Sequence, residues 1–269
     1  MGALDGRVAF ITGAGRGQGR AHALALAAEG ADIVAADAPH PMAGLTYPLG
    51  TQDDLRETAK RVEETGRRCE PIVLDVRDAA AVGAAVERTV ADMGSLDIVV
   101  ANAGIVSTGA LQDVTDEIWQ QLLDTNLTGV FHTLRAAIPV MRAQRFGRIV
   151  VTSSMGGRMG IPELAAYNAT KWGVIGLAKS AALEVAREGI TINVICPTTV
   201  RTPMVAPEGT EVGDVSDDLV RRMMKGNPIP QPWIVPEDVS RGLLYLVTDP
   251  GVVTGSVLEI GLGGSARMH

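Results

Sequence analysis

The sequence predicts an α/β fold built on a doubly wound, mostly parallel sheet of seven strands with helices on both faces, in a single domain over residues 1–269. Three observations predict it. Short β-branched apolar runs recur along the chain, longer stretches with helical periodicity lie between them, and glycines stand just past the ends of several of those stretches. Continuous apolar runs separated by helices are how strands covered on both faces of a parallel sheet read.

The elements alternate in order. RVAFIT is the first strand and a helix follows over residues 18–29; DIVAAD is followed by a helix over 52–65, and EPIVLD by one over 78–93. LDIVVAN precedes a long helix over 115–143, GRIVVTS a helix over 165–187, and ITINVICP a helix over 236–248, after which SVLEIG closes the sheet. Gly30, Gly66, Gly94 and Gly189 lie just beyond four of these helices, where a left-handed residue is favoured.

Two segments break the rhythm. Residues 38–50 carry Pro39, Pro41 and Pro48 with Gly44 and Gly50, too many breakers for either regular structure, and read as an insertion between second strand and second helix. Residues 201–235 are rich in proline and acidic residues, with one short helical run around Asp217–Lys225, and read as a lid over a substrate site.

Composition excludes several classes of partner. The net charge is −7 and no block of Lys or Arg forms a phosphate-backbone footprint, so neither nucleic acid nor an anionic membrane surface is expected. Cys69, Cys196 and the four histidines show no metal-ligand spacing, so no metal is expected. No apolar stretch has spanning length, and MGALDGRVAFITG enters a strand too early for a secretory leader. A soluble cytoplasmic protein is the expectation.

The first strand ends in TGAGRGQG, whose Gly13, Gly17 and Gly19 precede a helix. Unpaired N–H groups at that helix start can hold a pair of phosphates, and residues without side chains allow close approach. Asp37 ends the second strand at the spacing where a carboxylate accepts from the adenosine ribose hydroxyls, which favours NAD over NADP. Arg16 points the other way, because a basic residue in this turn can pair with a 2′-phosphate; Asp37 is preferred because it meets the 2′ position directly. Asp75 and Val76 end the third strand and would flank the adenine, and Asn102, Ala103 and Gly104 end the fourth. All these residues fall at carboxyl ends of strands, where ligands bind in open α/β sheets.

In ELAAYNATKWG, Tyr167 and Lys171 are one helical turn apart on the same face. An ammonium beside a phenol stabilises the phenolate and the positive ring of an oxidised nicotinamide pushes the same way, so a Tyr167 pKa lowered from about 10 toward neutrality and a proton acceptor for an alcohol are expected. Ser154, at a strand end, supplies a hydroxyl that can hold the substrate oxygen beside the phenol.

With TGAGRGQG, Asp37, Asn102-Ala103-Gly104, Asn126 in DTNLTG, Ser154, Tyr167 and Lys171 in this order, the chain resembles the short-chain dehydrogenase/reductase family over almost its whole length. The resemblance implies a Rossmann-type fold, hydride transfer to a nicotinamide, and a tetrad. In it Tyr167 takes the hydroxyl proton, Ser154 positions the substrate oxygen, Lys171 holds the ribose and depresses the phenol pKa, and Asn126 anchors a water. It also implies that Pro197, Val200 and Thr202 reach the cofactor, although Thr198 stands where the family usually has glycine. Gln18 replaces the usual apolar residue between the second and third glycines and is grouped with Arg16 among the cofactor contacts.

The insertion, the N-terminal MGALDGRVAFITGAGRGQGRAHA and Pro-Thr after the sixth strand are similar to the mycofactocin-associated, carveol dehydrogenase-like subgroup. That resemblance implies an NAD that stays bound through turnover and passes its reducing equivalents to a mycofactocin-type redox carrier. Prolines restrict the open states of the loop, which fits slow cofactor release. Met204, Val205, Met223, Met224, Ile229 and Trp233 on the lid, with Met155, Met159 and Ile161, suit an apolar terpenoid or alicyclic secondary alcohol; the same residues also suit simple packing of the lid. Other readings are a 3-oxoacyl-carrier-protein reductase with exchanging cofactor and a non-catalytic dinucleotide sensor. Relatives assemble as homotetramers through the helices that here carry Trp119 and Trp172 with Gly173 and Gly176.

Overall fold

The computed structural model describes residues 2–39, 42, 44–45, 47–205 and 227–267. The chain order is β1 (Val8–Thr12), α1 (Gly17–Ala28), β2 (Asp32–Asp37), α2 (Gln52–Glu63), β3 (Cys69–Val73), α3 (Ala79–Met93) and β4 (Ile98–Ala101). It continues with α4 (Asp116–Leu123), α5 (Gly129–Gln144), β5 (Gly147–Thr152), α6 (Ala165–Val185), β6 (Ile190–Pro197), α7 (Pro236–Thr248) and β7 (Val257–Ile260).

The seven strands lie in the order β3-β2-β1-β4-β5-β6-β7, and every pair is parallel. The order reverses direction between β1 and β4, and a cleft opens at the carboxyl ends of such a pair because the two following connections go to opposite faces. Side-chain alternation divides the core. Val8 and Phe10 face α3, α5 and α6, while Ala9 and Ile11 face α1, α2 and α7. β3 is an edge strand paired only with β2, which is why Pro71 is tolerated within it.

The helix starts follow from local chemistry. Thr51 and Asp54 form a reciprocal capping box at the head of α2, so the insertion ends where regular structure can begin. Gly30, Gly66, Gly94 and Gly189 all have positive φ, as their places after helices predict.

One expectation needs correction. Instead of a single helix over 115–143, α4 and α5 are separated by a π-turn at Asp124–Thr128 with Asn126 buried inside it. A π-turn shifts the backbone pairing by one residue, which hydropathy periodicity does not register. The helical run at 217–225, with Met223 and Met224, lies outside the described residues. Among the described residues no helix is long and apolar enough to cross a membrane, and no cluster of three His, Cys, Asp or Glu has the arrangement to hold a metal ion.

Candidate active site

A cleft with about 890 Å³ of empty space runs along the carboxyl ends of β1, β2, β3 and β4. It brings together Gly13, Arg16, Gly17, Gln18, Gly19, Asp37, Asp75, Val76, Asn102, Ala103, Gly104 and Thr202 of the residues predicted from sequence. Pro197 and Val200 do not line it. Pro197 pairs with Ile260 at the end of β6, and Val200 is buried in the core and bridges to Ile234. Thr198 keeps this join regular by donating its N–H to Ile260 at 3.0 Å, and its φ is not positive, so the backbone there does not require the glycine.

The glycine turn is shaped by contacts that exclude side chains. A Cβ on Gly19 would run into the Gly13 carbonyl, and one on Gly13 would lie 2.8 Å from the Ala103 Cα. Thr12 and Asn102 fix the turn against β4: the Thr12 hydroxyl accepts from the N–H of Asn102 and Ala103 at 3.0 and 3.1 Å, and Asn102 Nδ2 donates to the Thr12 and Gly13 carbonyls at 3.1 and 3.2 Å. The Asn102 side chain therefore acts on the turn, and Thr12, absent from the sequence reading, is its partner.

Asp37 sits where the ribose reading requires an acceptor. Its two oxygens accept from Gly15 N–H at 2.7 Å and Ala38 N–H at 2.8 Å, leaving lone pairs for a diol. Burial raises its pKa, opposed by those two backbone bonds and by the Arg16 charge. Arg16 Nη2 donates to the Pro48 carbonyl in the insertion, so its guanidinium is already committed to holding that loop. Asp75 is gripped by Arg77 through contacts of 2.6 to 3.0 Å at the rim.

These features fit a dinucleotide by two independent observations. The turn is a cradle that a Cβ would fill, and Gln18, lining the cleft, has a buried Oε1 with no hydrogen-bond partner. A buried acceptor left unpaired costs about 1–3 kcal/mol, which a donor on a bound ligand removes.

The second group converges beside β5 and α6. Ser154 lies beside Tyr167, where its hydroxyl acts to lower the phenol pKa, and Ser154 Oγ accepts from Gly156 N–H at 3.0 Å. Lys171 is buried, with Nζ 5.6 Å from the centre of the Tyr167 ring and donating to the Thr152 carbonyl at 2.9 Å. Asn126 is tied on all sides, accepting from Ile105 N–H at 2.8 Å and donating to the Ile105 carbonyl and Thr170 Oγ1 at 2.9 and 3.1 Å. A Cβ on Gly104 would lie 3.3 Å from Asn126 Oδ1 and 3.4 Å from Lys171 Nζ, so glycine lets the two approach. Ser153, which sequence reasoning passed over, donates to the Lys171 carbonyl at 2.8 Å and ties α6 to β5.

The expected lowering of the Tyr167 pKa is not produced by the protein groups alone. Burial pushes the phenol up to about 12, with the Ser154 hydroxyl acting the other way, and burial brings Lys171 down to about 8. Both charged forms lose solvation in the same interior, and that loss exceeds their attraction.

The insertion lies over the cleft. Met42, Tyr47, Leu49 and Gly50 line it, and Tyr47 Oη accepts the Val106 N–H at 2.8 Å. Of the lid, Met204 lines the cleft, Trp233 is buried, and Ile229 is exposed with its N–H on the Leu262 carbonyl. Met155 is buried and belongs to the main core cluster.

Similarity to known proteins follows the same geometry. The family model for short chain dehydrogenase matches residues 7–213. A (−)-trans-carveol dehydrogenase of Rhodococcus erythropolis is 44% identical over 99% of this chain and 100% of its own. Carveol dehydrogenase from Mycobacterium avium, solved in complex with NAD, superposes with a TM-score of 0.93 at 41% identity, covering 99% of this chain and 100% of that one. A short chain dehydrogenase from Mycobacterium paratuberculosis bound to NAD gives 0.91 at 36% identity over 99% and 100% of the two chains. The chain belongs to the short-chain dehydrogenase family.

Proposed function

We propose that this protein oxidises an apolar secondary alcohol, terpenoid or alicyclic, to its ketone, with NAD retained through turnover. It is an NAD-dependent alcohol/ketone oxidoreductase, as its family membership and carveol dehydrogenase relatives support. The observation that carries the reading is the Lys171 ammonium 5.6 Å from the centre of the Tyr167 ring, with Ser154 just beyond β5 at the same carboxyl end of the sheet as Asp37.

In this reading Asp37 takes the ribose hydroxyls and the N–H groups at the start of α1 take the phosphates. Bound NAD supplies the hydride acceptor and a positive charge near the phenol. Ser154 Oγ holds the substrate oxygen, and Tyr167 Oη accepts the hydroxyl proton. Lys171 Nζ, with its pKa near 8, can exchange a proton close to neutral pH. Asn126 keeps the backbone around Ile105 in place and is the residue to which this reading gives the water.

Retention of the cofactor is supported by the insertion, which is fastened to the glycine turn through Arg16 and Pro48 and to the end of β4 through Tyr47 and Val106. A retained cofactor needs a second oxidant, and a mycofactocin-type carrier is the proposed partner. Exposed Trp119 on α4 and Trp172 on α6 suit a homotetramer, and a cytoplasmic setting suits the whole reading.

The test is to purify the protein without added cofactor, dialyse it extensively, and assay carveol with an artificial electron acceptor and no NAD. Turnover without fresh NAD is the expected result. Complete dependence on added NAD would sink retention, and inactivity on secondary alcohols even with NAD would sink the substrate class.

A further inference from the structure

The insertion reaches beyond the dinucleotide. Met42, Leu45 and Leu49 pack into a small apolar cluster that also contains Ile105, Ile118 and Tyr167. Gly44 lies so close to Ile118 on α4 that a Cβ would collide with its Cδ1. Tyr47 lines the cleft from the same loop, and a charge on its phenol would raise the Tyr167 pKa.

The Tyr47 ring is held at both ends. Its hydroxyl is fixed by the Val106 N–H, and the next residue, Pro48, is held by Arg16. A flat side chain with two torsions already restrained loses little further entropy when a ligand packs on it. An alcohol whose oxygen meets Tyr167 and Ser154 must extend its carbon skeleton past the groups that surround Tyr167, and the insertion supplies several of them.

We propose that the insertion is also a wall of the substrate cavity, with Tyr47 as the residue on it that selects an alicyclic alcohol over a small acyclic one. This rests on the reading of the site as an alcohol dehydrogenase. A ring of six carbons reaches the wall and gains apolar contact there, while 2-propanol is too short to touch it. Tyr47 is then a specificity-determining residue, one removed from the proton transfer itself.

The experiment compares kcat/KM for cyclohexanol and 2-propanol, with an artificial electron acceptor and saturating NAD, in the wild type, Tyr47→Ala, Tyr47→Phe and Leu45→Ala. In Tyr47→Ala the cyclohexanol to 2-propanol ratio should fall about tenfold, the size of effect a lost apolar contact gives in a specificity pocket. Tyr47→Phe keeps the ring and should hold the ratio within about threefold, and Leu45→Ala, which withdraws support from the same wall, should lower it in the same direction. A merely structural or cofactor-holding role changes both alcohols by one factor and leaves the ratio alone. An unchanged ratio in Tyr47→Ala overturns the proposal, and if that variant does not fold, an unchanged ratio in Leu45→Ala does so. Should the wild type oxidise neither alcohol, the dehydrogenase reading fails separately. The wall is then decided by the apparent Kd of cyclohexanone for the NAD-loaded protein, weakened about tenfold in the variant if the proposal holds and unchanged if it does not.

Discussion

The Arg16 guanidinium and the Pro48 carbonyl join the glycine-rich turn to the insertion that covers it. A hydrogen bond from a charged donor contributes about 1.5–3 kcal/mol, so this one contact can govern how often the loop opens. In Arg16→Leu the bound NAD should leave about tenfold faster, read as loss of absorbance at 260 nm relative to 280 nm during dialysis. Release as slow as in the wild type would show that the loop is held by other contacts.

Two glycines make a contrasting pair. In Gly19→Ala the new Cβ meets the Gly13 carbonyl, a backbone atom that cannot move without opening the turn. The variant should lose about 3 kcal/mol or more of stability and copurify without NAD. Gly66 has a positive φ but open space around it, so Gly66→Ala should cost only about 1 kcal/mol and keep its NAD. Urea unfolding and cofactor content measure both; equal costs would show that the cradle is not the constraint.

Tyr167→Phe removes the proposed proton acceptor, and kcat should fall by about 10²–10⁴ while bound NAD is unchanged. Because burial holds the phenol near 12, the protonated form dominates at neutral pH. Alcohol oxidation needs the deprotonated form, so kcat should rise from pH 6 to pH 9, more gently once cofactor charge lowers the phenol pKa. A flat pH profile in the wild type, or a Phe variant of normal kcat, would remove Tyr167 from the proton step.

Much of this arrangement was legible because it depends on local patterns. The strand runs, the glycines after helices and the Tyr167–Lys171 spacing each follow from a repeat of two or about four residues, and all fell where expected. What could not be read depends on atoms brought together from distant segments. The π-turn at Asn126 breaks no hydropathy pattern, and its side-chain partners, Ile105 and Thr170, are 21 and 44 positions away. How far burial opposes the lowering of the Tyr167 pKa could not be read either: spacing shows that Lys171 is near, and only the fold shows how much solvation the two groups lose. Tyr47 had a signal in being the one Tyr, Trp or Phe between residues 38 and 50, though its contact with Val106 joins segments 59 positions apart.

His22 gives a prediction far from the chemistry. Fully buried between α1 and α7, it meets Ser240 Oγ through Nδ1 at 2.8 Å, and Ser240 in turn donates to the Pro236 carbonyl at 3.1 Å. Nδ1 must therefore carry the proton, leaving Nε2 unprotonated and without a partner. Burial brings the His22 pKa down to about 3 from an ordinary 6.5. Between those values the unfolded chain binds a proton that the folded chain refuses, so stability is lost as pH falls below about 6.5, at about 1.4 kcal/mol per unit. Going from pH 7 to pH 5, the wild type should lose about 2 kcal/mol more than His22→Asn, whose amide can still donate to Ser240 but does not titrate. Urea unfolding of both proteins at the two pH values measures the difference, and parallel losses would show that His22 takes up its proton without unfolding.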